Sequence, residues 1–397
     1  MTENTLSLPA PPSPLTAGEL KQKLALCRAA LSSHNKKGIL LVQEGALRWL
    51  TGCRNQIADI RPGDVGPVQA LVVPRESGWD ITFITTPYEM PRVKDQFPEV
   101  YDGIEGIGIS FSVDTPRLED GIARPDETGY PDIAGGIVRP LAGGLEGNQY
   151  ARLQWLAAAA TALLAKTAHE LEPGMNGSRV KGLLYKNFYD AGVESNLFLV
   201  ALPGQERHPH PLYHERYRVE KKGWMKLVAG ARYADMIYSA SVMIKMGDPT
   251  EDELRWHRAL QDAVVEYADC YRNGAVEGKI FEMIGGRFER IGKACGLEGF
   301  AESAYLHHPG GPTSPLGNRD YLIQPGGTRT MFPWMQFAIN PVESRYGTKV
   351  EIQGIVTPDG PPRFPDVFAF VPEKLLTHRL CRADGGTECA VADIIAR

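Results

Sequence analysis

One arrangement occurs twice in this chain, and it constrains the fold more than any other feature. Asn148 to Glu172 is an Ala-rich run with helical periodicity stopped by Pro173-Gly174, and Ser178 to Ala191 predicts a second helix ended by Gly192. Strand segments follow at Ser195 to Leu202 and Met225 to Met246. After Gly247-Asp-Pro-Thr250 the order restarts. Glu251 to Arg272 reads as a long helix and Gly278 to Cys295 as a second, again closed by a glycine, with strands continuing to about Val371. A helix pair followed by strands, repeated in units of about 100 residues, is an internal duplication at the level of pattern. Stacking the two units brings two antiparallel sheets together under four helices. It leaves a concave sheet surface, and functional side chains are expected on its floor.

The rest of the chain is organised differently. Met1 to Leu15 holds Pro9, Pro11, Pro12 and Pro14 among small and polar residues, which predicts a flexible, extended arm. Thr16-Ala-Gly-Glu19 has capping-box spacing and opens a helix through about Ser33, with Leu20, Leu24, Cys27 and Leu31 on one face. Short apolar runs at Gly38 to Val42, Val68 to Val73, Asp80 to Thr85 and Ile104 to Ser112, with a helix starting near Pro91, describe an α/β domain. The Gly-rich stretch from Gly129 to Gly147 closes it. The expectation is an α/β (α+β) protein in three parts: an arm over 1–15, an N-terminal α/β domain over 16–145, and a duplicated domain over 146–397.

Charge and composition exclude several classes. A formal net charge of -5 gives no electrostatic footprint for nucleic acid or acidic membrane. The six cysteines form no CxxC pair and no regular framework, so free thiols are expected. Met1 to Leu15 has neither a basic segment nor an apolar core of signal-peptide type. The longest apolar stretch, Leu156 to Ala165, falls far short of the roughly 18–20 residues a membrane span needs. A cytoplasmic protein acting on a small molecule, with no membrane or nucleic-acid partner, is the expectation.

Three strand-associated segments carry the residues capable of chemistry. Arg207-His-Pro-His-Pro-Leu-Tyr-His214 is a histidine-rich turn before a strand. Tyr305-Leu-His-His-Pro-Gly-Gly-Pro-Thr313 is followed by Asn318-Arg-Asp-Tyr321. Gln336-Phe-Ala-Ile-Asn-Pro341 precedes Gly347-Thr-Lys-Val-Glu-Ile352. Imidazole is the natural proton carrier at neutral pH, and a neighbouring carboxylate fixes its tautomer and raises its basicity. His308, His210, His208 and His214 are therefore candidates, each set against a plain turn or packing role. Glu351 lies between Val350 and Ile352 on a strand, so its side chain points opposite to theirs. Arg319 is either a bidentate clamp for a substrate carboxylate or the ion-pair partner of adjacent Asp320. Asn340 is either a substrate-binding amide or a turn residue before Pro341; Lys349 and Tyr305 complete the set.

On these residues the sequence resembles the creatinase and aminopeptidase P superfamily, whose fold is called pita-bread. The resemblance covers roughly Asn148 to Phe370, and the N-terminal domain resembles the companion domain of those branches. Metal-dependent members carry Asp-x-Gly, a second Asp eleven residues after the first, a His in a Gly-rich turn, Glu-Pro, and a final Glu. Here Gly230 matches the Gly, but Val228 and Ser239 stand at the two Asp positions. His308 matches the His, Asn340 replaces the Glu before Pro341, and Glu351 matches the last Glu, so two of five metal ligands remain. That set is too poor in carboxylates for a divalent cation. His210 matches, to within a small insertion, the substrate-binding His before the Asp-bearing strand. Ser241 and Asn340 occupy positions resembling the two glutamates of creatinase, a metal-free member.

The resemblance implies a metal-independent enzyme without cofactor, acting on an amide, amidino or amino-acid-derived C–N bond of a small polar substrate. Hydrolysis comes first, and elimination or cyclisation would use the same proton carriers. The catalytic set is His308, His210 and Glu351; His208, Asn340, Arg319, Lys349, Tyr305 and Arg61 bind substrate. By the same resemblance the protein is a homodimer, in which Arg54 and Arg61 reach a neighbouring site. The alternatives are a catalytically inactive binding module of the same fold and, third, an aminopeptidase P-like metallopeptidase.

Overall fold

The structure, a computed structural model, describes residues 6–52, 63–113, 121–123, 133–211, 215–304 and 310–397. Helix α1 (Ala17–Ser33) starts where the Thr16 hydroxyl accepts the N–H of Glu19 at 3.2 Å, and Leu20, Leu24, Cys27 and Leu31 are buried as the periodicity requires. The capping box is only half made. The Glu19 carboxylate turns instead to Lys23 and Arg152, both fully buried, because burying those cations without a counter-charge would cost far more than one backbone N–H.

Strands β1 (Gly38–Gln43), β2 (Val65–Arg75), β3 (Gly78–Thr85), β4 (Ile107–Ser112) and β5 (Ile122–Ala123) form one mixed sheet, in the order β4-β3-β2-β1-β5. Helices α2 (Glu44–Thr51), α3 (Met90–Gln96) and α4 (Ile133–Val138) accompany it. Helix α2 is absent from the sequence reading because Glu44 and Arg48 occupy buried positions that an apolar stripe would otherwise mark.

The duplication follows. In the first unit, α5 (Asn148–Glu170) and α6 (Gly177–Asp190) precede β6 (Glu194–Ala201), β7 (Gly223–Tyr233) and β8 (Met236–Met246). In the second, α7 (Glu251–Ala268) and α8 (Glu277–Ala294) precede the short α9 (Phe300–Ala304) and β9 (Gly311–Thr313), β10 (Gln336–Ile339) and β11 (Ile352–Ile355). Within each unit the three strands pair antiparallel in chain order. The small side chains of Ala157 to Ala160 are completely buried where α5 packs on β7 and β8. Each unit keeps its own apolar core. Gln353 on β11 links the sheets, its amide donating to the Ile237 carbonyl at 2.8 Å and accepting from the Ser239 N–H at 3.1 Å.

The C-terminal stretch adds a hairpin, β12 (His378–Arg382) with β13 (Glu388–Ala392), and β14 (Ile395–Ala396), which extends the first sheet by pairing parallel with β8. The described part of the proline-rich arm is extended and hydrogen-bonded to the body of the protein. Proline leaves carbonyls free, and those of Pro9, Pro12 and Ser13 accept from Trp155, Tyr233 and Arg152. Among the described residues, Cys27, Cys270, Cys295, Cys381 and Cys389 are free thiols, and no helix is long and apolar enough to cross a membrane.

Candidate active site

The floor of the cleft is set by strand register. Val228 pairs with Ser241 and Gly230 with Ser239 across β7 and β8, and residues alternate faces along a strand, so these four share one face. Gly230 is required there. A Cβ at this position would lie 2.3 Å from the Asn318 amide nitrogen and 2.4 Å from the Asn196 amide oxygen, two side chains that hydrogen-bond each other at 3.0 Å over the strand. From the second unit, Asn340 follows β10 and Glu351 precedes β11. Val350 and Ile352 enter the core, and Glu351 faces the other way.

The Glu351 carboxylate is held between two cations. Arg319 Nη2 donates to Oε1 at 3.3 Å, and Lys349 Nζ lies 3.2 Å from Oε2 as an ion pair without hydrogen-bond alignment. Lys349 is buried to 1 % exposure and Glu351 to 3 %, with Arg319 at 11 % beside them. Arg319 also donates to the Ser239 hydroxyl at 3.3 Å and to the Asn318 carbonyl. Its pairing with Asp320 does not occur, since Asp320 is taken by Arg139 at 2.7 Å. Burial pushes the Lys349 ammonium below its ordinary value, Glu351 opposes this, and Arg319 adds to the depression. An arginine and a lysine thus face one carboxylate.

Among the described residues, several buried polar atoms on this floor have no hydrogen-bond partner: the Ser241 hydroxyl, the Asn340 amide oxygen, Glu351 Oε2 and Arg319 Nε. Native interiors satisfy nearly all such atoms, so orphans gathered in one cleft mark a place prepared for a polar ligand. His210 lies on the exposed turn above and is within electrostatic reach of Lys349 and Glu351. Partial desolvation, then Lys349, push its imidazole below the ordinary histidine value, and Glu351 opposes them. His208 on the same turn is exposed. Glu351, Lys349, Arg319, Asn340 and His210 are thus brought together. His308, Tyr305, His214, Arg54 and Arg61 lie outside the described residues.

One participant was missed by sequence reading. Lys226 sits fully buried on β7, two residues before Val228. Its signal was a lysine inside the apolar run Met225 to Ala229.

Metal ions fit this donor set poorly. The one carboxylate is already neutralised by two cations, Ser239 accepts from Arg319, and Val228 offers no donor atom. Among the described residues no group of three or more His, Cys, Asp or Glu converges to hold an ion.

Solved structures share this architecture. The dipeptidase PepE from Mycobacterium ulcerans superposes with a TM-score of 0.64 at 16% identity, covering 96% of this chain and 100% of that one. The Xaa-Pro dipeptidase from Bacillus anthracis gives 0.63 at 14% identity, over 88% of this chain and 98% of that chain. Zinc-substituted E. coli aminopeptidase P in complex with product gives 0.62 at 12% identity, over 91% and 98%. This chain has the pita-bread fold. No family model matches it, and no curated protein does. Identities this low carry the pita-bread backbone and leave the chemistry to the residues themselves.

Proposed function

We propose that the cleft is the active site of a metal-independent hydrolase acting on a C–N bond of a small, polar, amide-, amidino- or amino-acid-derived substrate. The observation that carries this reading is Glu351 clasped by Arg319 and Lys349 on a floor where Val228, Ser239, Ser241 and Asn340 offer no second carboxylate. A fixed ammonium and guanidinium supply the positive charge, and they stabilise oxyanion development without a proton inventory of their own. His210, held below its ordinary value, is neutral near pH 7 and accepts a proton from water as the oxygen attacks the carbon of the C–N bond. The orphan oxygens of Asn340 and Glu351 receive substrate N–H groups. His308, entering the step protonated, gives its proton to the leaving nitrogen and is recharged by the proton that His210 took from the water. The three structural neighbours are peptidases by name, which favours hydrolysis over elimination or cyclisation. A cytoplasmic homodimer is the form proposed.

The test is a turnover screen of chelator-treated protein with amino-acid amides, dipeptides and guanidino compounds. Turnover is expected to survive the chelator, and His308→Ala is expected to lose about 10²–10⁴ of it. Two tightly bound equivalents of Mn, Co, Fe or Zn in the purified protein would overturn metal independence. Unchanged turnover in His308→Ala would sink the histidine-centred mechanism. Binding of these compounds without any turnover would favour the inactive module, for which the loss of carboxylate at Val228 and Ser239 speaks.

A further inference from the structure

Lys226 is completely buried, and among the described residues no carboxylate pairs with it. Its ammonium donates instead to three backbone carbonyls: Glu206 at 3.1 Å, His208 at 3.2 Å and Gly347 at 3.4 Å. The first two belong to the turn that carries His208 and His210. The third belongs to the turn that leads into Lys349 and Glu351. These turns touch backbone to backbone. Gly347 has φ of 73°, and a Cβ there would lie 2.1 Å from the Glu206 carbonyl oxygen. Buried Glu343 shapes the second turn from within, accepting from the N–H groups of Arg345 and Thr348, each at 2.8 Å.

A buried ammonium without a carboxylate is a cost to the fold, and methionine would fill the same volume without it. What the ammonium adds is the three-way junction. We propose that Lys226 is the positioning residue of the cleft, pinning the histidine turn to the turn before Lys349 and Glu351 so that His210 and Glu351 act as one unit. This rests on the hydrolase reading above. Burial, and then the charge of Lys349, lower the Lys226 ammonium to about 7, against the pull of Glu343 and Glu206; His210 on the pinned turn is within electrostatic reach of both lysines. As pH rises through that value the lysine loses one of three donors, and the pin slackens.

Hydrogen–deuterium exchange on the full chain tests this without any substrate. In Lys226→Met, the segments 204–211 and 345–349 are expected to exchange roughly tenfold faster, while the interior amides of β7 and β8 stay protected. In the wild type the same two segments should lose protection between one unit below and one unit above neutrality, after correction for the intrinsic rate, and the variant should lack that dependence. Unchanged protection of both turns in Lys226→Met overturns the proposal. Should that variant not fold, Gly347→Ala forces the same contact apart from the other side. It is expected to loosen the same two segments, and protection unchanged there also overturns the pin. Turnover lost with exchange unaltered would place Lys226 on the substrate and refute a positioning role. Localised loosening in a protein that turns nothing over would uphold the pin and sink the hydrolase reading instead.

Discussion

Asp235→Ala is expected to lower stability by about 3–5 kcal/mol, the range seen when one partner of a buried charge pair is removed. Asp235 sits in the two-residue turn between β7 and β8, after Ala234, whose φ of 49° is strained for a side chain. Its carboxylate accepts from Lys23 at 2.9 Å, Gln149 at 2.6 Å and Arg152 at 2.6 Å, all buried. Glu19 completes the group, so two cations are matched by two carboxylates. Removing Asp235 leaves one cation uncompensated at the junction of α1, α5 and the hairpin that floors the cleft. Burial alone would raise the Asp235 carboxyl, but Arg152 and Lys23 outweigh it and hold it below the ordinary value. A depressed carboxyl contributes stability above its unfolded value and loses it as pH falls through the folded one. The gap between wild type and variant should therefore narrow in acid. Urea unfolding checks both points: the midpoint should fall at unchanged slope. A loss under about 1 kcal/mol would show that the network is worth no more than a surface pair.

What was legible in the sequence follows from where the physics is local. The duplication was readable because Pro173-Gly174, Gly192 and Thr250 punctuate helices by backbone conformation and capping, and Thr250 does form a full capping box with Glu253. Glu351 was readable because its neighbours alternate. The pair it makes was not. Asp320 adjoins Arg319 in sequence, yet the guanidinium reaches Glu351, 32 residues away, because Asp320 is turned toward Arg139. Lys226 escaped notice for a different reason. Its partners are backbone carbonyls, which leave no mark in the side-chain alphabet. Lys23, Arg152 and Asp235 lie far apart along the chain, and each looks like a surface charge until the fold brings them together. The least foreseen contacts are thus long-range ones made by charges on otherwise apolar faces.

Glu351→Gln should cost both turnover and stability, and the two losses have separable causes. Stability falls because Arg319 and Lys349 stay buried while their shared counter-charge disappears; about 3–5 kcal/mol is expected. The double variant Lys349→Met/Glu351→Gln returns the cluster to a single cation. It should be more stable than Glu351→Gln alone, although it carries one more substitution. Turnover follows another logic. If Glu351 orients substrate N–H groups and tunes His210, turnover falls by about 10²–10⁴ in the single variant, and the double variant does not restore it. A metal-binding Glu351 predicts something different: Glu351→Gln would bind less metal, the chelator would mimic the substitution in the wild type, and removing Lys349 would strengthen cation binding by lifting its repulsion. Measuring unfolding midpoints, turnover and metal content on the same three proteins separates these accounts. Chelator-sensitive stability in the wild type would count against the ion-pair description, because an ammonium and a guanidinium cannot be chelated away.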